Sequence, residues 1–262
     1  MRSIYAIYRK EMGHYFVSPV AYVVVGVFLV LAGYFFETIT VSTIRYSLEQ
    51  EMQSMRFGAP PDIDVPSLIF RNFFQLLSSL VLFLVPGLTM GVYSEERKRG
   101  TIELLMTSPI TETQIVIGKF LAEISLFVIM LIPTAAYLFF VYFHSEPRPP
   151  VSLLLVGYLG VILLGGSLLA LGGFISTLTE NQIVAFFLTF GASLMLWVLG
   201  FWSQDPGSKA AQVLQYLTVI SHFDDLSRGI IDTTGLVYYV SFWIFFIFLT
   251  VRSIDSIRWR RA

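Results

Sequence analysis

Glu123 stands four residues after Lys119 and is the one acid set well inside an apolar stretch of this chain. A charge in hydrocarbon costs about 3 kcal/mol or more, so such a residue is either paired or functional. Two readings are open to it: an i,i+4 ion pair with Lys119 at a membrane interface, or an intramembrane proton relay. Ser193 follows Gly191-Ala192 in another apolar stretch, in the manner of a serine nucleophile. No such stretch carries a histidine to act as its base. His14, His144 and His222 fall in different connectors and there is no H-E-x-x-H, so the spacing offers no zinc site. His222, Asp224 and Asp225 form an incomplete ligand set that also reads as a helix cap and a solvated turn. Gly118-Lys119 is followed by Phe120 and lacks the upstream glycine of a P-loop. The residues therefore assign no catalytic group, no cofactor site and no metal ligand.

The elements that carry these residues are set by composition. Of 262 residues, 55% are hydrophobic and 13% charged, with net charge −1 and no cysteine. A soluble domain carries about 25% charged residues, so this chain lacks the charge for a water-facing surface and belongs in a bilayer. Its near-neutral charge argues against a nucleic-acid partner. The absence of cysteine excludes disulfides, thiolate metal sites and lipidated cysteine.

A crossing helix needs about 20 mostly apolar residues. Six stretches qualify: Val17–Phe36, Phe73–Tyr93, Phe120–Phe143, Val151–Ile175, Ile183–Trp202 and the short Leu236–Val251. The expected fold is therefore all-α, one polytopic membrane domain over residues 1–262. With six spans both termini share a side, where Arg2, Arg9, Lys10, Arg97, Lys98, Arg99, Lys119, Arg252, Arg258, Arg260 and Arg261 gather. The positive-inside bias makes that side cytoplasmic. Residues 1–16, with Ile4, Tyr8, Met12 and Phe16 at a spacing of four, form an interfacial helix leading into the first span. Ala211–Ser221 is apolar but too short to cross, and reads as an interfacial or re-entrant helix before span six.

Local chemistry marks the boundaries. Thr111-Glu112-Thr113-Gln114 and Thr179-Glu180-Asn181-Gln182 fit capping boxes at the starts of spans three and five. Pro149-Pro150 opens span four in the first-turn position. Pro86 and Pro133 lie inside spans two and three, where each deletes a backbone hydrogen bond, so kinks are expected there. Gly166, Ala170, Gly173 and Thr177 line one face of span four with small side chains that admit a close neighbour. In the outer connector Glu37–Asn72, Gly58-Ala59-Pro60-Pro61 and Pro66 read as turn or loop, with a short helix around Ser42–Phe57.

The long connector Ser94–Lys119 carries most of the functional information. It starts with charges of both signs, passes through Ile102, Leu104, Leu105 and Met106, breaks at Ser108-Pro109 and restarts at Thr111. That order suggests a short helix across the membrane face, presenting an apolar knob that either rests on the bilayer or fits a partner's socket.

The run E-E-R-x-x-G-T-I-E-L-L-x-T-S-P-I from Glu95, continued by I-V-I-G-K to Lys119, resembles the signature of permease subunits of type-2 ATP-binding-cassette (ABC) exporters. Tyr8-Arg9-Lys10-Glu11, Ser18-Pro19-Val20-Ala21-Tyr22, His222-Phe223-Asp224 and Arg228-Gly229-Ile230-Ile231-Asp232 resemble the gliding-motility-associated, GldF-like branch. The resemblance implies a non-enzymatic permease that pairs with a second permease copy or paralogue in the bacterial cytoplasmic membrane, among its lipids. It implies docking onto a cytoplasmic ABC ATPase dimer through a coupling helix over Gly100–Pro109. Gly100, Thr101, Glu103, Leu104, Leu105, Ser108 and Pro109 would form that helix, with Glu95, Glu96 and Arg97 as its charged frame. The implied function is ATP-driven export. The alternative is mechanotransmission to an outer-face substrate-binding or motility protein, with no solute moved. A proton-coupled carrier using Glu123 would want inverted repeats, and the connectors of the two halves do not match.

Overall fold

In the computed structural model, residues 2–58, 64–101, 110–202, 216 and 218–260 are described. Every element among them is helical: α1 (Arg2–Val17), α2 (Pro19–Phe57), α3 (Val65–Thr89), α4 (Ser94–Lys98), α5 (Glu112–His144), α6 (Val151–Leu178), α7 (Gln182–Trp202), α8 (Ser221–Ser227) and α9 (Thr233–Arg260). Six of these, α2, α3, α5, α6, α7 and α9, are long and apolar enough to cross a membrane. The chain is a polytopic all-α membrane protein.

The first crossing helix departs most from expectation. α2 runs unbroken for 39 residues, taking in the stretch around Ser42–Phe57 where a separate short helix is expected from the sequence, and it ends at Gly58, where the turn is read. The reason is local: between Gly33 and Gly58 there is neither glycine nor proline. The hydroxyl groups there stay inside the helix by donating to their own backbone, Thr38 to Tyr34 O, Thr40 to Phe36 O, Ser47 to Ile44 O and Ser54 to Glu51 O. Ser18 and Pro19 start α2, and Gly58, at φ 80°, ends it in the left-handed region that glycine tolerates. At 1.5 Å per residue α2 is about 58 Å long, nearly twice the ~30 Å hydrocarbon core. The Phe36 and Phe73 rings meet at 5.3 Å. From that level α2 continues for about 31 Å while α3 begins only about 12 Å away, so the far end of α2 overtops its neighbour.

Other boundaries reflect capping chemistry. Thr111 caps α5 by accepting from Gln114 N at 3.4 Å, as its capping box predicts. The second box is not used: Asn181 sits closer to the helix start and its Oδ1 accepts from Ile183 N at 2.9 Å, leaving Thr179 to close α6. Pro66 is in the first turn of α3 rather than in a loop, behind an Asp64 cap that accepts from Ser67 N at 3.1 Å. Pro150 is the residue before α6 rather than within its first turn. Of the expected re-entrant stretch Ala211–Ser221, residues 211–215 and 217 lie outside the described residues. The short helix α8 begins at its last residue, Ser221.

α6 is the hub. Its span is 78% buried, against 11% for that of α2, and it packs chiefly on α3 and α9. Of the small-residue face expected there, Gly166 and Thr177 meet α9, whereas Gly173 faces Tyr93 and Glu123. At Gly166 any Cβ would occupy the indole ring of Trp243, whose Nε1 donates to Leu163 O and Ser167 Oγ. Thr177 donates to Ser253 Oγ at 2.7 Å. Close helix approach through small side chains is the usual way spans associate in lipid, where no hydrophobic drive exists between them.

Candidate functional site

The charged segment predicted to frame a docking helix is α4, and its side chains turn to partners within the chain. Lys119, on the first turns of α5, is only 2% exposed. Its ammonium reaches Glu96 Oε1 at 3.0 Å, Glu11 Oε1 at 3.1 Å and the Val92 carbonyl at 3.0 Å. Those three acceptors use its three N–H groups. The Tyr93 ring lies 5.3 Å from the same nitrogen. Lys10 adds longer contacts to Glu11, 3.4 Å, and Glu96, 3.5 Å. One cluster thus fastens α1, α4 and α5 to each other.

This corrects the local pairing expected from spacing. Lys119 does not pair with Glu123. Glu123 is 4% exposed and its Oε1 has no hydrogen-bond partner. Glu11, to which the sequence assigns no role, takes its place, because the packed face of α1 carries Ile7 and Glu11 rather than Phe16, which is half exposed. Gly118 permits the approach: a Cβ there would fall 2.9 Å from Ile7 Cβ. The only sequence signal for Glu11 is an acid beside Lys10 in a basic segment, which does not point to burial. On α1, burial and then the carboxylates of Glu123, Glu11 and Glu96 hold the Tyr15 phenol well above its ordinary range, so it stays neutral.

The rest of α4 is tied elsewhere. Arg97 donates to the Thr177 carbonyl at the end of α6 and lies 3.4 Å from Glu180. Glu95 pairs with Arg99 at 2.5 Å. Ser176 of α6 accepts from Tyr93 N and Ser94 N, both at 3.2 Å, and donates to Met90 O, so the turn from α3 into α4 is clamped onto α6. Gly100 adopts φ 69° and Thr101 donates to Glu96 O at 3.3 Å. Glu103, Leu104, Leu105, Ser108 and Pro109 lie outside the described residues.

The sites weighed for other chemistry are dispersed. Asp224 accepts from Arg71 at 3.2 Å and Gln75 at 3.3 Å and pairs with Arg228 at 2.5 Å, joining α8 to α3. His222 stacks on Tyr238 at 4.2 Å. Among the described residues no group of three His, Asp or Glu is placed to hold a metal ion. Ser193 is buried with its hydroxyl unpartnered, and Pro86 and Pro133 lie inside α3 and α5.

What the arrangement can do is mechanical: it joins an amphipathic terminal helix and a charged connector rigidly to the ends of three spans. A family model described as ABC-2 family transporter protein matches residues 5–253, nearly the whole chain. The chain belongs to the ABC-2 transporter family. A search of curated proteins finds no match to it. As an ABC-2 family member it is the membrane component of an ABC transporter and not itself the ATPase, and the family implies an ABC ATPase subunit as its partner. The α1, α4 and α5 cluster then holds both described ends of the Ser94–Lys119 connector of an ABC-2 permease, Glu96 at one and Lys119 at the other.

Proposed function

We propose that this chain is an exporter permease of the GldF-like branch, set in the bacterial cytoplasmic membrane with both termini cytoplasmic. A separate ATPase dimer docks on Gly100–Pro109, and Leu104 and Leu105 enter its socket. Glu96 and Arg97 are then internal braces that carry the push onward, Glu96 to α5 and α1 and Arg97 to α6. The observation that carries this reading is the Lys119 cluster, because a coupling element transmits force only if it is fastened to the spans it moves. Pro86 and Pro133 are the points where α3 and α5 bend. The chain binds membrane lipids and no nucleic acid.

The permease pairs with a second copy of itself along α2. Val27, Tyr34, Val41, Leu48 and Met55 recur every seven residues along α2 and are all exposed, from 42% to 76%. The seam of a left-handed helix pair uses two such positions in every seven, and the second here is mixed, Val30 and Ile44 alternating with Glu37 and Glu51. Beyond the membrane this seam faces away from the chain's own side, where Thr43 is buried and Ser47, Gln50 and Ser54 are half-buried.

The length of α2 favours a second reading, in which the ATPase moves an outer-face substrate-binding or motility protein and nothing crosses. The deciding experiment is copurification from the native membrane. The wild type should retain an ABC ATPase that Leu104→Asp loses while still inserting. Survival of the complex in both Leu104→Asp and Leu105→Asp overturns the docking assignment. Stimulation of the bound ATPase by a lipid or soluble compound supports export, and stimulation by a protein alone supports transmission.

A further inference from the structure

α1 divides into two faces. Ile7 and Glu11 are buried and Ile4, Tyr8 and Tyr15 half-buried on the side that packs on α5. Arg2, Tyr5, Arg9, Phe16 and Val17 are exposed and fall on the other side, as the helical period requires. Of the residues at a spacing of four that mark α1 in the sequence, Ile4, Tyr8 and Met12 are half-buried and Phe16 alone is exposed, so the free face differs from the one hydropathy spacing shows.

α1 runs across α5 rather than along it. Ile4, Ile7 and Glu11, spread over about 10 Å of α1, lie against Gly118 and the adjacent Lys119. Ser18, in extended conformation, breaks the helix before α2. α1 therefore lies aslant at the surface of the leaflet, its Val17 end next to the first span. Its free face is graded in the same direction. Val17 and Phe16 are 81% and 50% exposed, and Arg9 and Arg2 follow about 10 and 20 Å beyond Phe16 along the helix. Tyr5, between the two arginines, has the amphipathic ring that membrane interfaces favour.

The charge on that face is unbalanced. At this end of the bundle Glu11, Glu95, Glu96, Glu180 and Asp255 each have a basic partner within the chain. Arg2, Arg9 and, on α4, Lys98 form no ion pair among the described residues. Arg2 and Arg9 are two helical turns apart on one face, so two uncompensated guanidinium groups share a side. A guanidinium takes phosphate oxygens through parallel N–H donors, and a basic residue beside a span favours an anionic leaflet over a neutral one.

We propose that the face of α1 carrying Arg2, Tyr5 and Arg9 is a binding surface for anionic phospholipid in the adjoining leaflet, with Arg2 and Arg9 on headgroup phosphates and Phe16 and Val17 among the acyl chains. The inference rests on the reading that the chain binds membrane lipids and adds the headgroup class. It holds whether or not an ATPase docks on Gly100–Pro109.

The test is native mass spectrometry of the delipidated full chain, offered phosphatidylglycerol and phosphatidylcholine in equal amounts. The wild type should retain at least about tenfold more phosphatidylglycerol, since each basic residue at an anionic surface contributes about fivefold. Arg2→Gln with Arg9→Gln should bring the two lipids within about twofold of each other. Arg45→Gln with Arg148→Gln removes the same charge from exposed arginines toward the opposite end of the spans and should leave the preference unchanged. Equal retention of both lipids by the wild type overturns the choice of headgroup, and retention of neither overturns lipid binding itself. Wild-type preference in Arg2→Gln with Arg9→Gln overturns the proposal, and loss of a copurified ATPase in that variant would assign the face to the ATPase. An equal fall in Arg45→Gln with Arg148→Gln also overturns it, because net charge alone would then set the preference.

Discussion

Lys119 Nζ and Glu11 Oε1 lie 3.1 Å apart, joining the first helix of the chain to the start of its third span. Both side chains are nearly out of solvent, 3% and 10% exposed, so the pair is not a surface contact of small worth. Removing one partner of a buried pair costs about 3–5 kcal/mol, because the remaining charge has nothing to replace it.

Lys119→Met should therefore lower thermal stability in detergent sharply and expose α1 to protease. Neutralising the two acids as well, with Glu11→Gln and Glu96→Gln, should recover most of the loss. A Lys119→Met protein that melts like the wild type would show that the cluster does not anchor α1.

Glu123→Gln should leave melting unchanged or raise it, since the carboxylate it replaces is buried with Oε1 unpartnered. ATP-driven activity of the reconstituted complex should stay within about twofold of wild type. Loss of activity at an unchanged melting temperature would move Glu123 into the transport mechanism.

Gly166→Ala should destabilise by about 1–3 kcal/mol, the usual cost of overpacking, because its methyl would run into Trp243. Gly191→Ala, on α7 with nothing within 4 Å of the new Cβ, should instead stabilise by about 0.5–1 kcal/mol. Melting of the two variants side by side checks both signs.

Leu48→Cys should give a disulfide-linked dimer on mild oxidation, because a parallel pair along α2 sets this position opposite itself within disulfide reach. The natural chain has no cysteine, so no background bond competes. Gln50→Cys, on the opposite side of α2, should give none. Absence of the dimer at Val41→Cys, Leu48→Cys and Met55→Cys would remove α2 as the seam.

The six spans were legible because hydropathy over about 20 residues is a local property, and so were the Thr111 cap and the small face of α6 around Gly166. The length of α2 was not. Its outer half is rich in Ser, Thr and Glu, which read as connector, and only the hydroxyls bonding back to carbonyls reveal how it stays helical. The Lys119 cluster was hidden for a different reason. Glu123 is the near acid in sequence, whereas Glu11 and Glu96 reach Lys119 only once α1 and α4 have packed on α5. A short-range pattern offered one partner, and tertiary packing chose two others.

One consequence concerns leverage. α1 and α2 are separated by Ser18 alone, in extended conformation, so α1 is the short arm and α2 the long arm of a single bent bar. The short arm is pinned by Glu11 to Lys119, and the free end of the long arm stands about 31 Å past Phe36. Pivoted at the level of Phe36, a rigid tilt of about 10° would sweep that end through about 5 Å, given its length. Pro19, at the other end of α2, stands about 26 Å from Phe36 and would move through about 4 Å, so a displacement at the pinned face would reach the far face at nearly its full size.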